Sequence, residues 1–158
     1  MIENLEFEEF YRSIRAEIND DTSDNLDMAY RIDRFTEYFT SQLAEFGVTN
    51  DATICSIEKE LGNGKAIANA WSLDGEGRLS LFFSDFHDSD KSEPVGKKDV
   101  DTSVSRAQNI YRYAKTKNYK DLEQSKKVYA MIRTIQEAMG SISHIHIYYL
   151  TDGMLSKT

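Results

Sequence analysis

Apolar residues recur at steps of three and four between Glu3 and Ile18, at Leu5, Phe7, Phe10, Tyr11, Ile14 and Ile18. That period predicts an amphipathic helix with an acidic outer face. The polar run from Asn19 to Asn25 breaks it, and Ser23, Asp24 or Asn25 can cap the next helix. This second helix is predicted from Leu26 to Phe46, stopping at Gly47. Its stripe is Met28, Ile32, Phe35, Phe39, Leu43 and Phe46, widened by Tyr38, and the phenylalanines make it a principal core helix.

After Gly47 the period changes from helical to alternating. Ala52 to Leu61 is rich in β-branched residues and ends at the flexible turn Gly62-Asn63-Gly64. Lys65 to Leu73 and Arg78 to Phe86 flank Asp74-Gly75-Glu76-Gly77, a strong hairpin signal, so the three segments read as an antiparallel meander. His87 to Lys98 is polar, holds Pro94 and Gly96, and reads as a mobile loop. Asp99 opens a helix with Val100, Val104, Ala107, Ile110, Tyr111 and Ala114 on one side. Asn118 interrupts it. A further helix is expected from Tyr119 to Met139, with Leu122, Val128, Ile132 and Ile135 inward, and Ser143 to Thr151 is a strand.

The class expected is therefore α/β of the α+β kind: two N-terminal helices, a three-strand meander, two helices and a final strand. Residues 1–158 are read as one domain, with 1–24 an N-terminal helix and connector and 25–158 the core. A core strand so close to the last residue is expected of a piece of a longer polypeptide.

Composition narrows the function classes. The chain has 158 residues, 40% of them hydrophobic, enough for a real core. Its formal charge of −8 disfavours avid nucleic-acid binding by the whole. The basic residues nevertheless gather between Lys97 and Arg133, interleaved with Tyr111, Tyr113 and Tyr119. That stretch is either a phosphate- or partner-contacting face or the solvated side of two helices. Cys55 is the only cysteine, so no intramolecular disulfide forms, and its apolar setting predicts a buried thiol. There is no secretory signal, and no apolar run approaches the roughly 20 residues of a membrane span. A reducing cytoplasm fits, with no membrane partner.

From Leu26 the order helix, three strands, helical segment, strand resembles the core of the restriction-endonuclease-like nucleases, the PD-(D/E)XK group. Three runs sharpen the comparison: Asn69-Ala70-Trp71-Ser72-Leu73-Asp74, then Gly77 to Phe86, then Ile145 to Gly153. These look like the N-terminal region of bacterial abortive-infection phage-resistance (AIPR) proteins. The resemblance implies a role in antiphage defence and a larger C-terminal remainder of the same polypeptide as the natural partner.

Hairpin geometry offers a test of nuclease chemistry. With Gly75, Glu76 and Gly77 as the loop, Leu73 faces Leu79, Trp71 faces Leu81, Asn69 faces Phe83 and Ile67 faces Asp85. Alternation then gathers Asn69, Asp85 and His87 on one face at the open end. An active nuclease of the resembled group would place two carboxylates there for a divalent cation such as Mg²⁺, with a lysine to position water. Here Asp85-Phe86-His87 stands at the acid-x-Lys element and Asn69 near the other acid. The expectation is a degenerate, inactive site needing no cofactor, in a domain used for recognition or assembly and not itself an enzyme. The alternative is an active nuclease whose metal is held by Asp85 with Asp74 or Glu58. A third reading, self-association, rests on Phe7, Phe10 and Tyr11. His144 and His146 share a strand face and could hold Zn²⁺ only with a third ligand.

Overall fold

A computed structural model of the chain describes residues 9–18, 27–62, 64–88 and 93–155. Residues 9–18 form helix α1, and α2 spans Met28–Glu45. Strands β1 Thr53–Leu61, β2 Gly64–Leu73 and β3 Arg78–Asp85 come next, then the short β4 Pro94–Val95. Helix α3 Lys97–Thr116, a 3₁₀ turn at Tyr119–Asp121 and α4 Lys127–Glu137 lead to β5 His144–Thr151 and β6 Met154–Leu155. The main sheet runs β1-β2-β3-β5, antiparallel through the meander, with β5 parallel to β3. The predicted class and its meander are what the chain adopts.

Both faces of the sheet are covered. Ile14 and Ile18 of α1 and Phe35 of α2 pack on one face with Ala70, Phe82, Phe86 and Leu150. On the other, Ile110, Tyr113 and Ala114 of α3 and Met131, Ile132 and Ile135 of α4 pack on Ala66, Ala68, Leu79 and Leu81. Three alanines of β2, Ala66, Ala68 and Ala70, are wholly buried. Their small side chains let the helices approach the central strand, and Asn109 of α3 donates to the Lys65 carbonyl at 2.9 Å.

Several expectations need correction. Helix α2 begins at Met28 because Asp27 caps it, accepting from the Ala29 amide at 3.0 Å; Ser23, Asp24 and Asn25 lie outside the described residues. The apolar stripe of α2 outruns its cover, leaving Met28 46% and Phe46 77% exposed while Phe35 is fully buried. In α1, Leu5 and Phe7 lie outside the described residues, Phe10 is exposed, and Tyr11 is buried. Tyr11 is thus a core residue and cannot join an exposed aromatic patch.

The last helical region is broken where a single helix was expected. Asn118 accepts from the Lys120 amide at 3.0 Å, closing a 3₁₀ turn, and α4 starts only at Lys127. Gln136 of α4 donates to the carbonyls of Ala114 and Lys117, tying the end of α3 to α4. Part of the predicted loop is ordered structure. Pro94 and Val95 pair in parallel with Met154 and Leu155, Val95 is buried, and α3 begins at Lys97. Asp99 instead sits inside the first turn of α3, accepting from the Gly96 amide at 3.2 Å. Among the described residues no helix is long and apolar enough to cross a membrane.

The hairpin register near the turn is the one predicted, with Leu73 opposite Leu79 and Trp71 opposite Leu81. Asp74 accepts from the amides of Arg78 and Glu76, both at 2.9 Å, and these bonds hold its carboxyl below the usual range. Gly77 has φ +84°, and a Cβ there would stand 2.2 Å from the Ser141 carbonyl. Its own carbonyl accepts from the Ser143 amide at 2.8 Å, so the turn anchors the entry to β5. Gly77→Ala is accordingly expected to cost about 2 kcal/mol or more, from backbone strain plus the clash. Gly75→Ala, with open space around it, should change stability by less than about 0.5 kcal/mol. Urea unfolding of the two variants checks the contrast.

Candidate functional site

The exits of β3 and β5 lie side by side, because the parallel register sets Asp85 opposite Thr151. Parallel strands that end together bring their following loops to one edge, the usual place for a site in such sheets. Asp85 is half-buried there. Its Oδ2 accepts from the Tyr149 hydroxyl, and its carbonyl accepts from Thr151 Oγ1 at 2.9 Å. Burial, and then the hydrogen bond and charge of Asp85, push the Tyr149 phenol far above its ordinary value. Tyr149 keeps its proton and donates it. The ring stacks on Phe83, the residue opposite it in β3, at 6.5 Å between centroids.

His87 does come close to Asp85, in agreement with the hairpin alternation: Nε2 stands 3.5 Å from Asp85 Oδ1. Its other nitrogen, Nδ1, is 2.6 Å from Glu93 Oε2. The imidazole therefore lies between two carboxylates. The chain just after β3 is held by Asp152, which is buried at the exit of β5. Its two oxygens accept from the His87 amide at 2.8 Å and the Asp88 amide at 3.0 Å. Asp88, with φ +52°, turns its carboxylate toward the α1–α2 layer. There Arg31 binds it with both nitrogens of one edge, at 2.6 and 2.8 Å, and Arg15 approaches to 3.3 Å. Burial works against the Asp88 carboxylate, but the bonds and charges of Arg31 and Arg15 outweigh it and hold the group below its ordinary value.

Asn69 and Asp74 are not part of this cluster. The β2–β3 ladder stops at Ala70 opposite Phe82, and beyond it the Asn69 side chain takes over, accepting from the Ser84 amide at 2.8 Å. Asn69 lines a shallow cavity with Ala29 and Ile32 of α2. Alternation breaks within β2 itself: Ala66 and Ala68 pack with the α3–α4 layer but Ala70 packs with the α1–α2 layer, and the β1–β2 register shifts alongside, between Ile54 and Ile57. Asp74 sits at the turn, and Asp85 at the far end of β3, about 23 Å away at the rise of an extended strand. Glu58 lies on β1, two strands from β3, and faces Lys65 at 3.5 Å. Neither acid can pair with Asp85 around one cation, so the donor set does not fit the two-carboxylate centre that Mg²⁺ would need.

The family comparison covers most of this geometry. The model of the abortive infection phage resistance protein N-terminal domain matches residues 35–158. The chain belongs to that family. No curated protein and no solved structure matches it. In this abortive-infection domain the matched region holds Asp85, His87, Asp88, Tyr149 and Asp152, while Arg15 and Arg31 precede it.

Sequence reasoning missed most of that network. Tyr149 reads as a core residue, and Asp88 and Glu93 as parts of a solvated loop. Asp152-Gly153 directly after an apolar strand was the one available signal. Gly153 is also confined, since a Cβ there would lie 2.5 Å from Val95 Cγ2. The other candidates stay apart from the cluster. His144 and His146 are exposed with ring centroids 6.3 Å apart, and among the described residues no group of three His, Cys, Asp or Glu could hold a metal. Burial pushes the Cys55 thiol up to about 12, so it stays protonated and inert.

The acid network is open to two measurements. Asp152→Ala should destabilise the fold by about 2 kcal/mol, because two partly buried amides lose their acceptor. For Asp88 the folded value lies below the ordinary 3.8, so its contribution is fully present above that value and lost as pH falls through the depressed one. The stability gap between the natural chain and Asp88→Asn should shrink as urea unfolding is repeated from neutral pH down to about pH 3. A gap independent of pH would contradict this.

Proposed function

We propose that this domain serves a phage-defence protein as a recognition or assembly module, on a nuclease-like scaffold that has no catalytic centre. Family membership supports the defence role, since the family is described by abortive infection and phage resistance. The scaffold reading is supported by the order of elements: a helix, three antiparallel strands, a helical crossover and a strand parallel to the third, between two helical layers. The same order marks the restriction-endonuclease-like cores that the sequence resembles.

One observation carries the non-catalytic reading. Asp85, at the acid position, is bonded to Tyr149 and faces His87, while Asn69, where a second acid would stand, is bonded to the backbone of Ser84. A nuclease centre needs two carboxylates converging on one cation and a cation or base beside the attacking water. Here each carboxylate of the β3 and β5 exits already has a protein partner. The cluster holds two loops in place. The effector chemistry then belongs to the C-terminal remainder of the polypeptide, and the domain supplies contacts.

The test is direct. The chain incubated with DNA and with RNA in Mg²⁺ or Mn²⁺ should leave both intact, and Asp85→Ala should behave the same. Metal-dependent cleavage that disappears in Asp85→Ala would reverse the reading in favour of an active nuclease.

A further inference from the structure

The main sheet has two outer strands, and they are protected very differently. An unpaired edge exposes a row of amides and carbonyls that another strand can join, so natural sheets blunt their edges with bulges and charges. Strand β1 obeys this rule. It carries the register break at Ser56 and the charged run Glu58-Lys59-Glu60. Strand β5 does not. It pairs with β3 in unbroken register over its whole length, from His144 to Thr151, and among the described residues no strand lies on its other side. Its first half, His144-Ile145-His146-Ile147, has no acidic residue or lysine, and Ile145 is 37% exposed.

Beside this edge lies a groove of about 360 Å³, floored by Ile145 and Ile147 and walled by Gln108, Tyr111, Arg112 and Lys115 of α3. The wall is basic and uncompensated. Lys97, Lys126 and Arg133 each face a carboxylate within 4.0 Å, at Asp101, Glu123 and Glu137. Among the described residues neither Arg112 nor Lys115 has such a partner, and Lys115 instead lies over the Tyr111 ring at 5.1 Å. In a chain of net charge −8, these two exposed cations, with no carboxylate partner among the described residues, flank the apolar, unblunted edge of the main sheet.

We infer that the outer edge of β5 is a docking site for an extended peptide strand of a partner protein. That strand carries apolar side chains over Ile145 and Ile147 and acidic ones beside Arg112 and Lys115. Backbone hydrogen bonds to β5 would supply affinity, and the groove would choose the side chains. The inference gives the recognition role proposed above its surface, and rests on that reading. A second copy fits less well. Antiparallel pairing of β5 with its twin would set two basic walls against each other, between chains of like net charge. Single-stranded nucleic acid fits less well too, because the floor is aliphatic and the nearest ring is already covered by Lys115.

Nuclear magnetic resonance of the full, isotopically labelled chain tests this. The probe is a short capped peptide of alternating valine and glutamate. Amide shifts should concentrate at Ile145 to Tyr149 and along Arg112 to Lys115. Affinity should fall roughly tenfold for the matched valine–lysine peptide and for the Arg112→Glu/Lys115→Glu variant. N-methylation of alternate peptide amides should abolish the β5 shifts. Both substitutions are at exposed positions, and circular dichroism checks that the variant stays folded. No β5 shifts with any peptide would overturn the inference, as would equal affinity for the two peptides. So would β5 shifts produced by oligothymidylate but not by peptide, or a concentration-dependent doubling of mass that protects β5. Asp85-dependent nuclease cleavage would overturn the non-catalytic reading while the titration still reported on the edge. Intact nucleic acid with an unresponsive β5 would overturn only the docking site.

Discussion

The parallel pairing of β3 with β5 is the constraint on which the rest depends. It joins segments far apart in sequence, and Thr151 reaches Asp85 across 66 residues. Both ends are pinned. At the start, the carbonyl of Gly77 accepts from the Ser143 amide, at a position where a Cβ would strike the Ser141 carbonyl. At the finish, Asp152 binds the amides of His87 and Asp88. Between the pins, Phe82 stacks on Tyr148 and Phe83 on Tyr149, one pair toward each helical layer. The sheet can bury both faces only because this strand is in register, and the acid cluster exists only because the two exits coincide.

That cluster has the residue types of a catalytic centre and the bonding of a joint. Asp85 accepts from the Tyr149 hydroxyl, Asp88 takes the fork of Arg31, and Asp152 takes two backbone amides. Buried or half-buried carboxylates satisfied in this way gain little from a metal, since a cation would have to displace bonds already made. The arrangement links the meander, the last strand and the N-terminal helical layer. Rigid linkage of that kind suits a domain that presents surfaces.

Much of the fold was legible in the sequence, for identifiable reasons. Periodicity found both helical layers, and Asp74-Gly75-Glu76-Gly77 marked a hairpin whose register near the turn was read correctly. The reading failed where alternation itself fails. The change of face within β2 between Ala68 and Ala70, and the bond of the Asn69 side chain to the Ser84 amide, cannot be seen in a hydrophobic pattern, so regular alternation groups Asn69 with Asp85 when it belongs beside α2. Long-range partners were equally invisible. Nothing local says that Arg31 and Asp88 meet, although they are 57 residues apart, or that Val95 is buried by a two-residue strand from the end of the chain. The single helix expected from Tyr119 gave way to a 3₁₀ turn because Asn118 can bond its own backbone, a competition that apolar spacing does not register.

The separation of β3 from β5 also has a consequence for how the molecule comes into being. A chain emerging from the ribosome can close the β1–β2–β3 meander early, from neighbours in sequence. It cannot complete the surroundings of Asp85 until α3, α4 and β5 have all been synthesised, because Tyr149, Thr151 and Asp152 come last. Contacts of such long sequence separation are the slow ones to form. Until then β3 has an open edge with Leu79, Leu81 and Phe82 beside it, three side chains that the finished fold buries completely. The most exposed moment in the life of this domain is therefore its birth, while that strand waits for its partner.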